Sequence, residues 1–224
     1  MKKSYLIIGL VVFLMAGCSQ PYSAKPLSMV KIFDKRQHSA LNTSEPSWQT
    51  EQQLRRLFLD EQYDKDPLGI IDDLYAKAYA SHDKTLMRAV AELSLLNARK
   101  QYAKDRVLST TLYINAAELT YDYLISDDAF ASRNVLTPSY RFMAEIYNRS
   151  VSRLVEIRGK YEVPWPETLS GVIGDRSYEI TIKKQGPFLW DPTLFDQLTP
   201  ANQLQIKGLR NQYIAKGLGA PLVG

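Results

Sequence analysis

A chain of 224 residues carrying 28 Lys and Arg against 24 Asp and Glu is long enough for one sizeable folded domain with its own core. Its basic residues form no cluster along the sequence, which excludes a nucleic-acid footprint. The single cysteine excludes an internal disulfide and a cysteine-based metal site.

In chain order the first element is a leader. Lys2 and Lys3 precede an uncharged run from Tyr5 to Gly17, the layout of a secretory signal peptide. As a helix that run is about 20 Å long, at about 1.5 Å per residue. The hydrocarbon core of a bilayer is about 30 Å thick, so the segment is short for a permanent span. Loss of Lys2 and Lys3 on processing lowers the net charge from +4 to +2, so the sequence pI of 9.0 overstates how basic the processed chain is.

The run Leu14-Met15-Ala16-Gly17-Cys18 resembles the lipobox of bacterial lipoproteins, with Met15 standing where Leu is most common. Met matches Leu closely in volume and is flexible enough to take its place. The resemblance implies that residues 1–17 are removed and that Cys18 is the site of lipid attachment. One acyl chain holds a protein only marginally, whereas the several chains on a lipobox cysteine hold it firmly. Ser19 follows, where an Asp resembles an inner-membrane retention signal. The expected location is therefore the outer membrane, facing the periplasm, with the lipid bilayer as partner through acylated Cys18.

Residues 18–45 read as a tether, rich in Ser, Pro, Lys and Gln, with Met29-Val30-Lys31-Ile32-Phe33 fitting a short strand. From 46 to 158 the apolar residues recur at helical spacing. Ser47 is placed to cap a first helix running through Leu59, with Leu54, Leu57 and Phe58 inward. Asp66 caps a second that starts at Pro67 and runs to about Ser81, burying Ile70, Ile71, Leu74, Tyr75 and Ala78. The third starts near Lys84 and buries Leu86, Ala89, Val90, Leu93 and Leu96. A fourth starts near Asp105, with Leu108, Leu112, Tyr113, Ala116, Ala117, Thr120, Tyr121 and Leu124 on one stripe. After a loop from Ser126 to Val135, Thr137-Pro138 opens a fifth, with Tyr140, Met143, Ala144, Tyr147, Val151 and Leu154 inward. Residues 159–224 change character: a β-hairpin over 168–184, then irregular chain ending in an apolar, glycine-rich tail that needs something to pack against. The expected fold class is thus mainly α, a helical bundle of about five helices followed by a small β-hairpin and irregular segment.

No catalytic constellation is visible. Gly-x-Ser-x-Gly is missing, and Leu169-Ser170-Gly171 lacks the first glycine. His38 and His82 read as solvated loop residues. Asp72-Asp73 and Asp127-Asp128 read as surface, because neighbours on a helix diverge by about 100°. No residue spacing suits a metal, and Gly217-Leu218-Gly219 lacks the strand and third glycine of a phosphate loop. The expectation is no catalytic residue, no metal and no cofactor.

The tail carries a resemblance. Gly208-Leu209-Arg210-Asn211-Gln212-Tyr213 and Gly217-Leu218-Gly219-Ala220-Pro221-Leu222-Val223 resemble a segment of large bacterial lipoproteins of the α/β-hydrolase superfamily. So do Ala89-Val90-Ala91-Glu92-Leu93-Ser94, the run from Ala116 to Leu124, and Ile146-Tyr147-Asn148-Arg149-Ser150. The resemblance spans residue 50 or so to the end. It implies a lipobox and helical region whose serine nucleophile and histidine lie in a part not represented in this chain, so that the chain is inactive by itself. The alternative is a helical scaffold or binding module for a periplasmic partner, although no repeat near 34 residues is evident.

Overall fold

The computed structural model describes residues 28–29, 37–125, 134–160, 168–173, 176–181, 199–201 and 217–223. The chain divides into two compact units, Met1–Asp34 and Lys35–Gly224. Of the first, only Ser28 and Met29 are described; both are exposed, and Met29 is helical rather than part of a strand. The leader, Cys18 and Val30 to Phe33 lie outside the described residues.

The second unit is mainly helical: α1 (Trp48–Arg56), α2 (Asp60–Lys65), α3 (Pro67–Ser81), α4 (Lys84–Gln101), α5 (Arg106–Leu124) and α6 (Pro138–Lys160). Short polar residues start the long helices, because each supplies an oxygen to a backbone N–H with no partner in the first turn. Ser47 accepts from Thr50, Asp66 from Gly69, Asp83 from Thr85 and Leu86, Asp105 from Leu108, and Thr137 from Tyr140.

The first helix stops short of the expected Leu59. Phe58 turns left-handed, at φ 57°, and its N–H donates to Arg55 O while that of Leu59 reaches Leu54 O. This is the helix-ending hydrogen-bond pattern usually built on glycine. It turns the Phe58 side chain out to solvent, 85% exposed, rather than inward. The chain then starts a separate helix, α2, which buries Tyr63. His82 closes α3 in the same way at φ 52°. Helix α3 takes its expected bounds and α4 its expected start, and all the predicted core positions of both are buried. On α5 the expected stripe is buried at Leu112, Tyr113, Ala116, Thr120 and Leu124, but Tyr121 is exposed, and Leu119 and Tyr123 are buried besides. On α6 the deepest apolar residues among those described are Met143 and Ile146.

Helix α4 is the centre of the unit, packed against α1, α3, α5 and α6. All its residues from Leu86 to Ala98 are buried. Helix α5 lies between α4 and α6. Tyrosines join α3 to α5: Tyr75 and Tyr79 stack with ring centres 4.5 Å apart, the Tyr79 hydroxyl donates to Asp122, and that of Tyr75 to Glu118 at 3.5 Å.

The hairpin is present, with β1 (Thr168–Ile173) antiparallel to β2 (Arg176–Thr181) in a register running from Thr168 opposite Thr181 to Ile173 opposite Arg176. Further along, β3 (Thr199–Pro200) pairs with β4 (Leu222–Val223). The tail finds its support on α6. The Asn148 side chain donates to Gly217 O at 2.9 Å and accepts from Gly219 N at 2.6 Å, so one amide acts as a short length of strand.

Candidate functional site

An α-helix that is apolar on every side has no face left for polar side chains, so any it carries are buried and need partners. Helix α4 carries four: Arg88, Glu92, Ser94 and Asn97. Ser94 and Asn97 are held locally. Ser94 Oγ donates to Val90 O and accepts from Asn115; Asn97 donates to Leu93 O and to the Tyr63 hydroxyl, each at 2.8 Å. Burial pushes the Tyr63 phenol up from its ordinary pKa, and the Asn97 hydrogen bond partly opposes this.

Glu92 is fully buried, and its carboxylate collects four donors. The N–H groups of Ala40 and Ser47 reach Oε1 at 3.0 and 2.8 Å, and the hydroxyls of Ser47 and Thr50 reach Oε2 at 2.5 Å each. These bonds replace the water a carboxylate loses on burial, and donors to an anion form the stronger class of hydrogen bond. Glu92 thereby ties the chain preceding α1 to the middle of α4. Arg99, two turns on, donates to the carbonyls of Ala40 and Thr43. The folded body therefore includes Ser39 and Ala40, inside the stretch read as tether; Ala40 is fully buried.

One turn before Glu92, Arg88 is only 8% exposed, and its guanidinium lies 4.0 Å above the Phe142 ring of α6. Stacking on an aromatic face suits the flat, weakly hydrated guanidinium. Among the described residues it makes no hydrogen bond or ion pair. Burial pulls its pKa below the ordinary value, while Glu92 and Tyr123 oppose that shift. Arginine stays charged even so.

Arg88 borders a cavity of about 370 Å³ at the end of the bundle where α4 and α6 begin and α5 finishes. The first two residues of α4, Lys84 and Thr85, line it, as do Pro138 and Ser139 from the start of α6, together with Tyr123 and Phe142. Gln37, His38, Ser39 and Ser47 close the side that Glu92 fixes. No acidic residue is among the described residues lining it.

His38 borders this cavity rather than standing free in a tether, half exposed and 3.8 Å from Glu45. His82 is exposed at the end of α3. Asp72 and Asp73 diverge on α3, while Asp127 and Asp128 lie outside the described residues. Among the described residues there is no group of three His, Cys, Asp or Glu able to hold a metal, and no helix is long and apolar enough to cross a membrane. Sequence reasoning did not single out Arg88 or Glu92. The signal was present: Ala, Val and Leu surround both on every side of α4, so neither had a solvent face to occupy.

No family model, characterised protein or solved structure matches this chain.

Proposed function

We propose that the chain is a membrane-anchored bacterial lipoprotein whose helical domain binds a ligand or a periplasmic partner and does not itself catalyse. The observation that carries the binding half is the cavity at the start of α4 and α6, which places the guanidinium of Arg88, with no acceptor among the described residues, and several hydroxyls around a concave space. Sites of this kind, concave with a few convergent polar groups, are the usual form of small-molecule pockets. Among the described residues His38, half solvated beside Glu45, receives no hydrogen bond from a lining hydroxyl, and the Ser47 hydroxyl, which donates to the fully buried Glu92, also caps α1.

The anchoring half rests on Leu14-Met15-Ala16-Gly17-Cys18 behind a basic, then apolar leader. Acylated Cys18 holds the domain at the outer membrane, on the periplasmic side. Cys18→Ala should move the protein from the membrane fraction to the soluble periplasmic fraction; a variant that stays with the membrane overturns the lipid anchor.

A second reading has the tail in its favour: the runs Gly208 to Tyr213 and Gly217 to Val223 resemble lipoproteins of the α/β-hydrolase superfamily. On that reading the domain is the helical front region of such a protein and, like the first, predicts no turnover of short acyl esters by the chain alone. Clear esterase activity overturns both.

A further inference from the structure

We propose that the cavity at the start of α4 and α6 is a binding site for a small organic oxyanion, a carboxylate or phosphate ester, with Arg88 as its principal contact. This rests on the binding-module reading and supplies its ligand class.

The argument begins with an imbalance of charge. Removing a charged group from water is costly unless a partner replaces the lost hydration. Glu92 meets that condition four times over. Arg88, on the same face of the same helix, does not: it has the Phe142 face on one side and no acceptor among the described residues on the other. Glu92 offsets part of that burial through space but offers no hydrogen bond, because its oxygens are already taken by the segment 40–50 and no ion pair joins the two. A guanidinium in that position has its planar fork of donors unused, and carboxylates and phosphates are the groups that match such a fork in pairs.

The surroundings agree in sign. Two helices begin at the cavity and one, α5, ends there; a helix start carries about half a positive charge and a helix end about half a negative one, so the starts outweigh the end. Asp83 takes up part of this on α4, through Thr85 N and Leu86 N. On α6 the cap is the uncharged hydroxyl of Thr137, which leaves the field of that terminus in place beside Ser139. Lys84 adds a full charge at the rim. Thr85, Ser139 and Tyr123 bring hydroxyls that can donate to the remaining oxygens. A volume of about 370 Å³ lies near the lower end of ligand sites, which run from about 300 to 1,000 Å³, so the occupant is a small molecule rather than a polymer.

The test is calorimetric titration of the full chain, in detergent, with phenyl phosphate, with benzoate and with neutral benzyl alcohol. Saturable binding of either anion, with none for the alcohol, is the expected result; the stronger of the two identifies the oxyanion class. Arg88→Met should weaken that binding at least tenfold and, by removing a buried charge, leave the melting temperature unchanged or higher. Ser139→Glu provides a check that does not depend on the fold tolerating a change at Arg88. It places a carboxylate at a helix start, where acids are favoured, and within the lining, where it competes for the guanidinium. It should abolish anion binding and raise the melting temperature. No saturable binding by the unaltered chain, equal binding of the alcohol, or undiminished binding by either variant overturns the proposal. Those outcomes leave the anchored module standing, since fractionation of Cys18→Ala tests it separately.

Discussion

Replacing Glu92 with alanine leaves two backbone N–H groups and two hydroxyls buried at once without their acceptor. In the intact protein these are Ala40 N, Ser47 N, Ser47 Oγ and Thr50 Oγ1, all within 3.0 Å of one carboxylate oxygen or the other. A hydrogen bond to a charged group contributes about 1.5–3 kcal/mol, and each donor left unsatisfied in the interior costs about 1–3 kcal/mol. The four do not add, because water can enter the space vacated by the side chain and relief from burying the charge offsets part of the loss. The expected destabilisation is about 4 kcal/mol, at the upper end for single substitutions. At about 2–4 °C per kcal/mol for a domain of this size, the melting temperature should fall by about 8–16 °C. Glu92→Gln separates the two halves of the site. Its oxygen still accepts from Ala40 and Ser47, and the amide NH₂ faces two hydroxyls that can turn to accept. Its cost should be about 1–2 kcal/mol. Urea unfolding of both variants measures the difference, and hydrogen exchange at the Ala40 and Ser47 amides localises it. A cost for alanine below about 1 kcal/mol, or equal costs for alanine and glutamine, refutes the reasoning.

Two further outcomes are expected. Phe58→Gly should stabilise the protein by about 0.5–1 kcal/mol, since the left-handed backbone there is strained for any side chain and so exposed a ring contributes little burial; loss of stability in denaturant melts contradicts this. Burial raises the phenol pKa of Tyr63, Tyr79, Tyr113 and Tyr147 above the ordinary value, and for Tyr79 the hydrogen bond to Asp122 adds to it. The unfolded chain therefore releases these protons first, so their contribution to stability is intact below about pH 10 and declines as pH rises beyond it. Absorbance titration at 295 nm should show them ionising above the ordinary phenol range; four phenols titrating normally in the native state contradict the burial argument.

The helices of this protein were largely legible because their signals are local. Asp66 with Pro67, Asp83 before Lys84 and Asp105 before Arg106 each start a helix through a hydrogen bond within three residues, and the sequence displays both partners. The end of α1 was not legible, because a phenylalanine occupies the left-handed position that glycine advertises. The cavity was not legible for a different reason. It depends on bonds between residues 42 to 52 positions apart, from Thr50, Ser47 and Ala40 to Glu92, and no local pattern announces those pairings. The all-round apolar character of α4 does mark Arg88 and Glu92 as buried, but burial alone does not say which of two charges is satisfied. That distinction lies in how the 39–50 segment folds over Glu92 and not over Arg88.

The Glu92 carboxylate has a consequence for the order in which the chain acquires its shape. Synthesis runs from the N-terminus, so Ala40, Ser47 and Thr50 emerge well before the acceptor they share. Until α4 has emerged and formed, those amides and hydroxyls have only water, and α1 lacks the packing against α4 that surrounds its cap. Closing a loop of this length costs entropy that a single contact does not return, so the segment is expected to set after its nearer neighbours α3 and α4 have met, an order that pulsed hydrogen exchange at the Ala40 and Ser47 amides would time. The stretch of chain made first in this unit is thus among the last to be fixed, and one buried acid keeps the time.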